Sequence, residues 1–138
     1  MKTLTLLIFA LATIKCFSQI SSSSYCELDI TPADSTYKNL DRQPSFKGVS
    51  DSIALSREIM IYVGRRVGKY EGEGIVCLSF VINEKGLPEN IIAYKSQNHN
   101  LSKLAVDLIE DMPRWRPGIL NDEKVKVEFR VPFRFTQP

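Results

Sequence analysis

The chain has 138 residues, with 18 Lys and Arg against 16 Asp and Glu, a formal charge of +2, and one His. That length fits one domain of ordinary size, and so balanced a charge speaks against a nucleic-acid binder, which usually carries a strong basic excess. A lone His leaves no multi-histidine metal site, while a hydrophobic share of 43% is enough for a core and excludes wholesale disorder.

At the amino terminus Lys2 precedes an apolar run from Leu4 to Ile14, broken by threonines, and Cys16 and Ser18 follow around Phe17. A basic start, a short apolar middle and small residues at the cut describe a secretory signal peptide over residues 1–18. A spanning helix needs about 20 apolar residues, so cleavage is expected rather than an uncleaved anchor. Lys15 sits where a lipoprotein signal wants a small residue, which argues against a lipid on Cys16. Lys2 and Lys15 leave with the signal, so the remaining chain carries sixteen basic and sixteen acidic residues, a net charge of zero.

Cys26 and Cys77 remain. Two cysteines in an exported chain can pair. Alternatively Cys77 is a small apolar strand residue and Cys26 rides on a tail, and this unpaired reading is the favoured one. No Cys-x-x-Cys motif supports a thioredoxin-like or zinc-ribbon reading.

Residues 19–45 read as a flexible polar lead-in. Ser21 to Ser24 form a serine run, and Pro32, Asp34, Asn39, Asp41 and Pro44 follow without an apolar period. One compact domain is expected over residues 46–138. It opens with a helix from about Ser52 to Val67, in which Leu55, Ile59, Met60, Val63 and Val67 recur at helical spacing. Asp51 or Ser52 can cap it, Gly68 can end it in a left-handed conformation, and Arg65 and Arg66 suit its last turn. A strand follows over Gly74 to Asn83, with Val76, Leu78, Phe80 and Ile82 on one face. Asn83-Glu84-Lys85-Gly86 is a turn, and a second strand from about Glu89 to Ser96 completes a hairpin. Asn100 is placed to cap a second helix, whose apolar face is Leu101, Leu104, Ala105, Leu108 and Met112. Pro113 and Pro117 cannot continue that helix.

The last strand is the clearest pattern. From Lys124 to Phe135 every odd position is apolar, namely Val125, Val127, Phe129, Val131, Phe133 and Phe135. The even positions Lys124, Lys126, Glu128, Arg130, Pro132 and Arg134 are charged or proline. Strict alternation means one buried and one wet face. Pro132 lacks an amide proton, so the strand reads as an edge strand. The order helix, strand, strand, helix, strand predicts an α+β fold, a small three-stranded antiparallel sheet with two helices on one side.

Catalytic constellations are missing. There is no His-Glu-x-x-His, Gly-x-Ser-x-Gly or phosphate-binding glycine loop. His99 lies between asparagines, where a solvated side chain is the default, and Glu71 and Glu73 have no partner by spacing. The expectation is a non-enzyme without cofactor, metal or small-molecule substrate. One functional feature survives. An exposed strand edge offers unpaired amides and carbonyls to an extended peptide, with Lys126, Glu128, Arg130 and Arg134 flanking it. The charges and Pro132 can equally serve only to block aggregation.

Pro44-Ser45-Phe46-Lys47-Gly48 resembles the Pro-x-Phe-x-Gly opening of TonB carboxy-terminal domains. Gly74 to Ile82, followed by Glu84-Lys85-Gly86, resembles that family's Gly-x-Val-x-Val-x-Phe-x-Val strand and turn. Met112-Pro113-Arg114-Trp115-Arg116-Pro117-Gly118 is similar to its Met-Pro-x-Trp-x-Pro-Gly signature, and Val131-Pro132-Phe133-Arg134-Phe135 to its closing strand. The resemblance spans about residues 44–136. It implies a periplasmic module whose last strand pairs with a peptide of an outer-membrane receptor or other envelope protein in TonB-dependent transport. The implied partner-binding residues are Val125, Lys126, Val127, Glu128, Phe129, Arg130, Val131 and Arg134. Trp115 is expected as a core plug beside the helix end. The family's Tyr-Pro between helix and strand is replaced here by Gly68-Lys69-Tyr70-Glu71, so that connection must differ. A lead-in of this length spans roughly 30 Å as a coil, short for a periplasm, so a free binding module is expected rather than a coupler of motor to receptor. The alternative is an assembly subunit that dimerises or docks through the same edge.

Overall fold

The structure, a computed structural model, describes residue 26, the backbone of residues 29–32, and residues 39–136. The expected signal and most of the expected lead-in lie outside the described residues. Among the described residues six strands and two helices follow in order: β1 (Asp29–Pro32), α1 (Ser52–Arg66), β2 (Gly74–Ile82), β3 (Pro88–Lys95), α2 (His99–Glu110), β4 (Gly118–Leu120), β5 (Glu123–Val125) and β6 (Val127–Phe135).

The two helices lie against an antiparallel sheet, the α+β fold expected. Strands β6, β2 and β3 form its nucleus, and β1 joins it in the order β1-β6-β2-β3. The longest ladder is β2 with β6, from Gly74 opposite Phe135 to Ile82 opposite Val127. It aligns two alternating patterns, so Val76, Leu78, Phe80 and Ile82 share a face with Val127, Phe129, Val131, Phe133 and Phe135. All nine are buried. The helices cover that face through Leu55, Ile59 and Val63 on α1 and Leu101, Ala105, Leu108 and Ile109 on α2. Each such apolar side chain contributes about 1.5–3 kcal/mol on burial.

Local signals set the boundaries with some corrections. Asp51 caps α1, its carboxylate accepting from the Ala54 amide at 3.0 Å. The helix ends because Val67 turns extended, at φ −65° and ψ 119°; Gly68 does not supply a left-handed cap. The cap of α2 is Asn98 rather than Asn100, its side chain accepting from the amides of Asn100 and Leu101. The expected last strand is broken in two. Val125 belongs to β5, which pairs with β4 as a separate hairpin, Gly118 opposite Val125. Asn121 and Asp122, both at positive φ, make its turn.

Trp115 plugs the core as expected, 2% exposed, among the rings of Phe46, Phe80 and Phe129. Its Nε1 is the buried side-chain polar atom that lacks a partner among the described residues. Its backbone amide donates to the Gly86 carbonyl at 2.8 Å. Gly86 stands at φ +77°, and a Cβ there would fall 2.0 Å from the Trp115 carbonyl oxygen. The β2–β3 turn is thereby fastened to the tryptophan segment through a glycine that nothing larger can replace.

Two glycine substitutions should therefore have opposite signs in urea unfolding. Gly86→Ala should destabilise by about 2 kcal/mol or more, because it combines positive φ with a backbone collision. Gly64→Ala, inside α1 with nothing within 4 Å of the added Cβ, should stabilise by about 0.5–1 kcal/mol.

Candidate functional site: the outer edge of the last strand

Pro132 led to the expectation that the last strand lies at the sheet edge. The structure corrects this over half its length. Strand β6 lies between β1 and β2, and β1 pairs with it from Asp29 opposite Arg130 to Pro32 opposite Val127. Past Arg130, from Val131 to Phe135, β6 keeps β2 on one side and has no strand on the other among the described residues.

The proline limits what the outer side of β6 can offer. The β2–β6 ladder runs without interruption through Cys77 opposite Pro132. A proline fits such a ladder where its missing donor faces away from the partner strand. Main-chain groups alternate sides along a strand, so Glu128, Arg130, Pro132 and Arg134 direct theirs to the outer side. Glu128 and Arg130 each offer a donor and an acceptor there, and β1 takes these positions. Among the described residues the β1 ladder reaches Arg130, two residues before Pro132, which has no amide to offer a further strand residue.

The expected partner-binding residues divide by location. Val127, Phe129 and Val131 have side chains buried in the core and main-chain groups turned to β2, so they offer nothing to the outer side. Val125, half-buried on β5, is not part of the edge. Lys126 precedes β6 and donates to Glu89 at 2.7 Å. Glu128 accepts from the Ser79 hydroxyl at 2.9 Å and from Arg130 Nε at 3.3 Å. Arg130 and Arg134 are exposed.

Cys26 and Cys77 form a disulfide with Cα atoms 5.7 Å apart, overturning the favoured unpaired reading. It ties the chain just ahead of β1 to β2, the strand on the other side of β6. The sequence offered no signal for this pairing beyond the presence of two cysteines. His99 is the first residue of α2; Glu71 and Glu73 precede β2, with Glu71 exposed and Glu73 exposed, and no hydrogen bond joins them to one another. Among the described residues no group of three or more His, Cys, Asp or Glu is arranged to hold a metal, and no helix is long and apolar enough to cross a membrane.

An antiparallel sheet with two helices on one face, and a last strand whose outer side is paired over only half its length among the described residues, defines a small α+β domain. The family described as "Gram-negative bacterial TonB protein C-terminal" matches residues 66–136, and the chain belongs to it. A solution structure of the Helicobacter pylori TonB carboxy-terminal domain is similar, at 21% identity over 67% of this chain and 87% of that one, with a TM-score of 0.45. A search of curated proteins finds no match.

The Lys126–Glu89 pair yields a pH test. Hydrogen bonds from Lys126 and then Asn83 hold the Glu89 carboxyl below its ordinary value of 4.5. A depressed folded value means stability that is present above the unfolded value and lost as pH falls through the folded one. Urea midpoints measured from neutrality down through 4.5 should fall less steeply for Glu89→Gln than for the parent. Parallel curves would show that the pair does not contribute.

Proposed function

We propose that this protein is an envelope binding module, exported to the periplasm, that takes an extended peptide of an outer-membrane receptor or related envelope protein as an added strand on β6. The observation that carries the reading is the outer side of Val131–Phe135, along which no strand pairs among the described residues, flanked by the exposed side chains of Arg130 and Arg134. Membership of the TonB carboxy-terminal family supports a partner of this kind. Main-chain hydrogen bonds supply affinity in strand addition, and flanking side chains supply preference. The role is binding, not catalysis: the uncovered stretch presents the Arg134 amide, the carbonyls of Pro132 and Arg134 and two guanidinium groups, a set suited to holding a peptide.

Synthetic amino-terminal peptides of TonB-dependent receptors, titrated against the chain without residues 1–18, test this reading. Arg134→Pro removes the next outward donor after Pro132 and should leave the β2 ladder intact. It should weaken binding at least about tenfold, the loss of one well-made hydrogen bond and its neighbour. Arg134→Ala should weaken it less. Failure of every such peptide to bind, or equal binding by Arg134→Pro, would remove the proposal. A dilution-resistant dimer that buries residues 131–135 would favour an assembly subunit instead.

A further inference from the structure

The best-equipped part of the proposed docking edge is already occupied, and its occupant is the chain itself. Strand β1 pairs with β6 at Val127–Arg130, the stretch where Glu128 and Arg130 offer complete donor and acceptor sets. The open stretch beyond contains Pro132 and offers fewer groups. β1 is a short strand of four residues, Asp29–Pro32, which on its own is far too little to form a stable pairing in water. What fixes it is the disulfide three residues before its start, because Cys26 is bonded to Cys77 on β2. Downstream, the amides of Asp41 and Arg42 donate to the Ile119 carbonyl at 2.9 and 3.1 Å. The chain is therefore anchored on both sides of β1, at Cys26 before it and at residues 41–42 after it.

We propose that Asp29–Pro32 is a resident strand that a partner peptide must displace, and that the Cys26–Cys77 disulfide latches it in place, so that reduction by a dithiol opens the edge. This rests on the strand-addition reading above and names the control of that same site. Two tethers give β1 a high effective concentration at β6, and cutting one lowers it. A partner's apparent affinity falls by the fraction of molecules whose edge is open, so the latch acts directly on binding.

The chemistry is ordinary thiol–disulfide exchange. Cys77 is 1% exposed, whereas Cys26 is half-buried and lines a cleft of about 400 Å³ shared with Glu73, Lys95, Ser96, Asn98 and Leu101. A reductant thiolate attacks the Cys26 sulfur, and Cys77 leaves as its thiolate. The second thiolate of the dithiol then displaces Cys26. Two electrons pass to the protein pair, which takes up the two protons given by the reductant, and the reductant ends as its own disulfide.

The test uses the chain without residues 1–18 and, as probe, a synthetic peptide of its own residues 27–34. The oxidised protein should bind the probe weakly. Dithiothreitol-reduced protein and Cys26→Ser, which leaves buried Cys77 in place, should both bind it at least about tenfold more tightly. Hydrogen exchange provides a second readout that general loosening would not mimic. Amides of Glu128 and Arg130 should exchange faster once the disulfide is cut, while those of Gly74–Ile82 keep their protection. Equal probe binding by oxidised and Cys26→Ser protein, or unchanged exchange at Glu128 and Arg130, would overturn the inference. Uptake of the probe after reduction without uptake of any receptor peptide would sustain the resident strand and sink only the receptor reading.

Discussion

The pairing of β2 with β6 is the constraint from which the rest of the molecule follows. Nine residues of each strand run opposite one another without a shift. Because side chains alternate, that register decides at once which residues enter the core. A slip by one position would turn Phe129, Val131 and Phe133 to solvent and drive Glu128, Arg130 and Arg134 under the helices. Burying three unpaired charges would cost far more than any loop could return. The aromatic cluster depends on the same register, since Phe80 stacks on Phe129 with ring centroids 5.5 Å apart only while those residues are opposite. Trp115 then closes over both rings. Through its backbone bond to Gly86 it fixes the turn that leads into β3.

That register also dictates what the outer edge of β6 can do. Its odd positions are committed to the core and its even positions face the outer side, so only the backbone of the even residues is available for another strand. Pro132 removes one donor from the row. The row is thus divided into a well-equipped part at Glu128 and Arg130 and a poorer part beyond. The chain covers the first with β1, and no strand among the described residues covers the second. Coverage by a short self-strand is one way proteins protect an edge from aggregation.

The sequence was legible where a period was strong. Strict alternation over β6, the apolar face of β2 and the stripe of α2 gave the core face and the α+β class, and the motif around Trp115 gave the family. Two features escaped for physical reasons. β1 is four residues long without alternation, and its pairing partner lies about a hundred residues away; no local period encodes such a contact. The disulfide escaped because two cysteines say nothing about distance until the fold brings a lead-in residue beside a strand. The β4–β5 hairpin is different, since Asn121 and Asp122 are residues that accept positive φ and make tight turns. That signal was present but hidden by reading Lys124 to Phe135 as one strand. Pro132 cannot donate to a strand on the outer side, but it does not put all of β6 at an edge, because β1 pairs with Val127–Arg130.

The charges along β6 were the other basis for placing a site there, and the structure narrows their meaning. Lys126 is engaged with Glu89, and Glu128 with Ser79 and Arg130. Paired groups of this kind shape the fold's own surface and offer little to a newcomer, because a partner must first break the existing contacts. Arg134 is exposed and makes no ion pair with the described residues. On the strand-addition proposal, recognition along this edge would rest mainly on main-chain geometry, tuned by the arginine end and limited by the proline. An edge of that kind would tolerate many sequences. Selectivity would then come from what a peptide displaces as much as from what it touches, and the tie between Cys26 and Cys77 would bear directly on the occupancy of the edge.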